Sequence, residues 1–196
     1  VYQYPQNAEV YNFDCQMPIE ECSNMIIAAY ASVRCGGDSK ILSDNYDLLK
    51  TWYGYLDRAG LVPERQLCTD DFVERLGKNV NLSAKAIVAV KCFALIAEQL
   101  GRADDKQRAE QRLAEYVDEF YKHFDGADHL PLTYDSENDT YGLKYNMAYD
   151  VLFGFGLFGK AMRDKEIEYY LTKTDKLGVP LDNRYDLAKT DWILYA

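Results

Sequence analysis

Apolar residues in this chain return every three or four positions through long runs, and the runs come in pairs, so its architecture has to be built from helices laid side by side. Residues 20–34 carry Ile19, Cys22, Ile26, Ala29, Tyr30 and Val33 along one stripe, with Glu20 and Glu21 in the first turn where the helix dipole favours acids. After a Gly36-Gly37 turn a second helix is predicted over 43–58, capped by Ser43 and ended by Gly60, with Tyr46, Leu49, Trp52, Tyr53 and Leu56 inward. Residues 83–100 are apolar on most faces, the pattern of a helix covered on more than one side. The next stretch, 104–123, is amphipathic, so an inner helix is paired with an outer one. A third pair is predicted over 146–152 and 164–172, and a seventh helix begins near Lys189.

Starts near residues 20, 83, 146 and 190 form an approximate repeat of helical hairpins. The fold class read from this is all-α, with residues 1–196 forming a single helical-hairpin domain. In such an array every odd helix runs the same way, so the segments before the odd helices emerge on one face. Those segments hold the unusual residues: 16–24, 66–72 with 79–81, 141–146, and 180–184 with 189–192. Helix N-termini bring free N–H groups and positive dipole ends, suited to a carboxylate or other anionic group in a polar cleft.

Hydrolysis in a cleft commonly uses two carboxylates, one protonated and one ionised to activate water. Glu20, Glu21, Asp70, Asp71 and Asp191 are the catalytic candidates; capping is the structural alternative for each, and Asp70 or Thr69 could cap a short helix through Leu76. Asn81, Lys144, Tyr145, Asp182, Arg184 and Trp192 are the substrate-binding candidates. His123 and His129 lack a nucleophile setting, and the Asp135–Asp139 run reads as a solvated acidic turn because Thr140 stands where a calcium loop needs glycine. Five Cys without a CxxC read as free, mostly buried thiols; no metal and no cofactor are expected. Asn81 and Asn138 each sit in a glycosylation sequon.

Charge narrows the partners. With 22 Lys+Arg against 32 Asp+Glu the net charge is −10, which repels phosphate backbones and anionic lipid. Uninterrupted apolar runs fall short of the roughly 18 residues of a membrane span, so neither nucleic acid nor membrane is an expected partner. The N-terminus shows no basic and apolar leader pattern, and any signal peptide is expected to be absent or already removed.

At the same segments the sequence resembles the glutaminase A family of fungal and bacterial extracellular proteins. The matching stretches are MPIEECSNM at 17–25, QLCTDDF at 66–72, NLSAKAI at 81–87, LKYNMAYD at 143–150, and GVPLDNR with KTDWIL at 178–194. The resemblance implies an (α/α) toroid of the six-hairpin glycosidase-like type, of which this chain supplies about three hairpins as a fragment of a longer parent chain. It also implies conversion of L-glutamine to L-glutamate and ammonia, and a secreted or periplasmic location. It assigns no catalytic residue. A glycoside hydrolase or glycan-binding toroid is the alternative, since a fold does not fix chemistry.

Overall fold

A computed structural model describes residues 16–68, 74–137 and 139–196. They form eight α-helices: α1 (Pro18–Arg34), α2 (Lys40–Asp44), α3 (Tyr46–Ala59), α4 (Val80–Gln99), α5 (Ala103–His123), α6 (Ala148–Phe153), α7 (Lys160–Lys173) and α8 (Thr190–Tyr195), with a 3₁₀ turn at Tyr145–Met147 leading into α6. Among the described residues there is no strand; isolated antiparallel pairings such as Gln66 with Leu76, Asn79 with Thr133 and Gly142 with Asp182 tie the loops instead.

α4 is the centre. Every residue from Val80 to Val90 is buried, and α1, α3 and α5 pack around it. It starts three residues before the predicted Ser83 because the Asn79 side chain accepts a hydrogen bond from the Leu82 N–H and caps it. Counting uninterrupted apolar runs understated α4: among the described residues it is the one helix long and apolar enough to cross a membrane, since Lys85 and Lys91 break the runs without changing its average. Its apolar surface is taken up by protein neighbours, as in any core helix. Phe93 is fully buried on its late turns, stacked on Tyr53 at 4.3 Å.

The predicted helix 43–58 is two helices. Asn45 Nδ2 donates to the Ile41 carbonyl and Ser43 Oγ to that of Lys40, and these short polar side chains take backbone groups that a continuous helix would use. α1 begins with Pro18 in its first turn, where a missing N–H costs nothing. α7 begins at Lys160 rather than 164: the Asp150 carboxylate accepts the N–H groups of Leu157 and Phe158, folding the Gly-rich segment so that the next helix starts at once. Residues 74–76, predicted as the end of a short helix, are not helical, and Leu76 exchanges backbone hydrogen bonds with Gln66.

Helix directions follow from which ends meet. Near their starts, α1 and α4 meet through Glu20 and Lys85, and Asn81 of α4 meets Asn146 of the 3₁₀ turn. At the other end Tyr30 packs on Phe153, and Lys91 lies over Phe155. α1, α4 and α6 therefore run in the same sense. The start of α3 (Tyr46) meets Asp105 at the start of α5, while its last turn offers the Leu56 carbonyl to Tyr116 Oη, so the outer helices run the other way. Late in α7, Tyr170 Oη accepts the Lys144 N–H before the 3₁₀ turn, which makes the third hairpin antiparallel too. The predicted face is real: the odd-helix starts, the outer-helix ends and their loops share it.

α3 and α5 are locked by Asp57, whose buried carboxylate accepts from Arg108 Nη2 at 2.6 Å and Arg112 Nε at 2.9 Å. Burial alone would raise this carboxyl, but the hydrogen bonds and charges of Arg112 and Arg108 outweigh it and hold the group below the usual carboxylate range. A depressed native value means that the ionised form stabilises the fold above the unfolded carboxyl's pKa of about 3.9, and that this stability is lost as pH falls through the lower native value. Asp57→Asn is therefore expected to destabilise at pH 6, with the difference from the parent shrinking below about pH 4. Urea unfolding at a series of pH values measures it; a pH-independent difference would rule the account out.

Cys22 and Cys92 are buried free thiols, Cys68 is buried beside the Asn79 amide, and Cys35 is an exposed free thiol. The thiols of Cys22 and Cys92 are pushed up by burial, Cys22 to about 11. The first sequon fails sterically, because Asn81 is buried and its amide oxygen is used by Asn146. Asn138 of the second, like Cys15 and the Asp70-Asp71 pair, lies outside the described residues.

Candidate functional site

The shared face carries a continuous row of polar contacts. Gln66, from the loop after α3, accepts the Ile19 N–H with its side-chain oxygen and so fixes that loop over the start of α1. One residue on, Glu20 forms an ion pair with Lys85 of α4, both nearly sealed from solvent at 1% and 3% exposure. One turn before Lys85, Asn81 Oδ1 accepts the Asn146 N–H at 3.1 Å, and Asn146 Nδ2 returns a bond to the Asn81 carbonyl at 3.0 Å. Beside Asn146, Tyr145 stacks on Trp192 of α8 at 4.4 Å with nearly parallel rings. All four odd-helix starts are thus linked in sequence order.

Among the described residues, Ser23 Oγ of α1, Asn146 Oδ1 and Trp192 Nε1 are buried without a hydrogen-bond partner. Leaving such a group unpaired costs about 1–3 kcal/mol, so each of these positions has room for a hydrogen-bond partner from outside the chain.

The sequence candidates separate clearly in this setting. Glu20 is consumed by Lys85, whereas Glu21, half-buried one residue later, has no cation within ion-pair distance among the described residues. Asp191 is exposed in the first turn of α8, 3.6 Å from Lys189 Nζ. Lys144, expected to face substrate, is turned inward. Its ammonium donates to the carbonyls of Gly142 at 2.6 Å and Leu130 at 3.0 Å, with Glu166 3.8 Å away. Burial pulls Lys144 below the ordinary lysine range, and the charges of Glu166 and Asp182 oppose that pull. Glu166 also accepts from the buried Tyr170 hydroxyl, so this cluster fastens α7 to the loop before the 3₁₀ turn. Arg184 forks onto Asp182, with Nη2 2.6 Å and Nε 3.1 Å from the carboxylate. Asp182 therefore positions Arg184 and the Gly142 pairing in the loop.

Beside this loop an open groove of about 470 Å³ is lined by Tyr141, Lys173, Asp175, Arg184 and Asp186, among others. Burial, followed by the nearby charges of Asp182, Asp186 and Asp175, pushes the Tyr141 hydroxyl up to about 12.

Residues 2–196 match the family described as the glutaminase A six helical-hairpin domain. The chain belongs to that family. It is 34% identical to Glutaminase A of Aspergillus oryzae over 186 residues, covering 93% of this chain and 27% of that protein. It is 28% identical over 187 residues to a protein of Arthroderma benhamiae named "Probable glutaminase", covering 80% of this chain and 22% of the relative. This chain spans about a quarter of the length of the curated relatives it matches.

For a glutaminase A family hairpin domain, the parallel inner helices α1, α4 and α6 and the outer α3, α5 and α7 are the expected architecture, and the row of odd-helix starts is its polar face. Sequence reading missed Lys85 and Glu166, and placed Gln66 and Asn146 in the polar segments without naming them as candidates. Lys85 had a visible signal, because a lone Lys in a helix apolar on nearly every face requires a buried partner. The others carried none, since their partners lie 36 to 65 residues away.

Proposed function

We propose that this chain provides part of the cleft of an amidohydrolase that converts L-glutamine to L-glutamate and ammonia. The observation that carries the reading is the convergence of the odd-helix starts, with Glu21 half-buried there and unpaired with any described cation, in a chain of the glutaminase A family. In this mechanism Glu21 takes a proton from water as the water oxygen bonds to the side-chain amide carbon. The tetrahedral intermediate collapses as the C–N bond breaks, and a second carboxylic acid, from Asp70, Asp71 or Asp191, gives the nitrogen a proton so that ammonia leaves.

Sugar clefts often present aromatic side chains to the substrate, and Trp192 is the candidate for that role at this face. The indole of Trp192 already has Tyr145 stacked on it at 4.4 Å and the Lys189 ammonium over it at 4.5 Å. That arrangement favours the amide reading.

Residues 1–196 form one helical-hairpin unit of a larger domain in this proposal. Its edge for the rest of the parent chain is the apolar surface of α6, α7 and α8, where Leu152, Leu171 and Leu194 are 67%, 70% and 81% exposed. Leu171→Asp is then expected to lower the stability of the full-length protein by about 2–4 kcal/mol by placing a charge in an interface. A shift within about 0.5 kcal/mol would mark the edge as solvent-facing.

The activity test is ammonia release from L-glutamine by the full-length parent protein, beside a panel of aryl glycosides and oligosaccharides. Release of ammonia alone supports the proposal, and sugar release alone overturns it. The same assay on culture medium and on cell lysate tests the secreted or periplasmic location that belongs to this reading.

A further inference from the structure

The groove beside the row holds charges that the fold does not use. Lys173, at the last turn of α7, lies over the rings of Tyr169 at 4.9 Å and Tyr141 at 5.9 Å. Aromatic faces hold an ammonium in place without neutralising it, and among the described residues no carboxylate lies within ion-pair distance of Lys173. Asp186 is exposed on the opposing loop and has no ion-pair or hydrogen-bond partner among the described residues. Asp175 uses one oxygen to accept the Leu177 N–H and has no cation within ion-pair distance among the described residues. Arg184 is held by the Asp182 carboxylate. A fixed cation and uncompensated carboxylates therefore line one open groove, whose roughly 470 Å³ falls within the range of small-molecule sites.

A simple anion would meet Lys173 but be repelled by Asp175 and Asp186, and a simple cation would meet the reverse. A ligand carrying both charges satisfies both sides. We propose that this groove binds the zwitterionic end of an α-amino acid, its carboxylate at Lys173 and its ammonium at Asp186. The inference rests on the amidohydrolase reading for the identity of the amino acid as glutamine. α7 runs opposite to α6, so its last turn, and Lys173 with it, lies on the face where the odd helices begin.

The test uses the full-length parent protein and three probes without a hydrolysable side-chain amide: L-norleucine, hexanoate, which lacks the ammonium, and L-norleucinamide, which lacks the carboxylate. Dissociation constants come from NMR titration. Lys173→Gln is expected to weaken L-norleucine about tenfold, the worth of one charge-assisted hydrogen bond. Hexanoate is weakened with it, L-norleucinamide is unaffected, and Lys173→Arg restores binding. Asp186→Asn is expected to weaken L-norleucine and L-norleucinamide and to spare hexanoate. With L-glutamine as substrate, either variant raises KM about tenfold and leaves kcat within twofold. Failure of L-norleucine to bind, or equal loss of all three probes, overturns the groove assignment. If the parent releases no ammonia from L-glutamine while the probe pattern holds, the function falls and the site stands; if it releases ammonia and neither variant moves KM, the reverse is true.

Discussion

Lys85→Met is expected to lower the stability of the full-length protein by about 3–5 kcal/mol, a fall of about 10 °C in Tm for a domain of this size. The Glu20–Lys85 pair is the contact that joins the starts of α1 and α4, and its side chains are 2% and 4% exposed. Both ions left water to form it, so removing the ammonium strands a carboxylate where solvent cannot reach. Replacing both residues, as Glu20→Leu with Lys85→Met, is expected to recover most of the loss, because two packed apolar side chains carry no desolvation penalty. Thermal unfolding of the single and double variants decides the matter. A Lys85→Met protein as stable as the parent would show that the pair bears no structural weight and would return Glu20 to the catalytic candidates.

Glu21→Gln is expected to cut kcat for ammonia release by about 10²–10⁴-fold while leaving Tm within a degree. The two acids of α1 are neighbours in sequence but point about 100° apart around the helix. Glu20 faces α4 and its cation; Glu21 stays half-buried at the helix start with no described cation to hold. Exchange of its carboxylate for an amide of the same shape removes the proton acceptor without opening a cavity. Asp71→Asn is expected to behave alike if Asp71 is the second acid. Turnover within twofold of the parent, with or without a loss of stability, would remove Glu21 from the mechanism.

The hairpins were legible because their signal is local. Each apolar stripe repeats within one helix, and an inner helix such as 83–100 differs from an outer one such as 104–123 in how many faces are apolar. The shared face of the odd-helix starts followed from alternation alone. Boundaries were less legible, for equally physical reasons: Asn45 and Ser43 divide the second helix by taking backbone carbonyls, and Asn79 draws α4 back to Val80. A pattern of apolar residues does not record these short polar contacts.

Side-chain roles were hardly legible at all. Lys144 and Arg184 both read as cations that could meet a substrate carboxylate. The fold turns the first onto the carbonyls of Leu130 and Gly142 and ties the second to Asp182. Lys173 drew no notice just past a helix predicted to end at 172, yet α7 extends through it and carries it to the rim of the groove.

The sequence by itself determined that the chain is a set of antiparallel hairpins with its polar segments gathered at one end, because burial of an apolar stripe depends on the spacing of residues within a helix. Tertiary structure alone decided which of those polar groups are spent on the fold. Glu20 and Glu21 suit a helix N-terminus equally well, and only the arrival of Lys85, 65 positions along the chain, separates the acid that holds two helices together from the one left without a described cation.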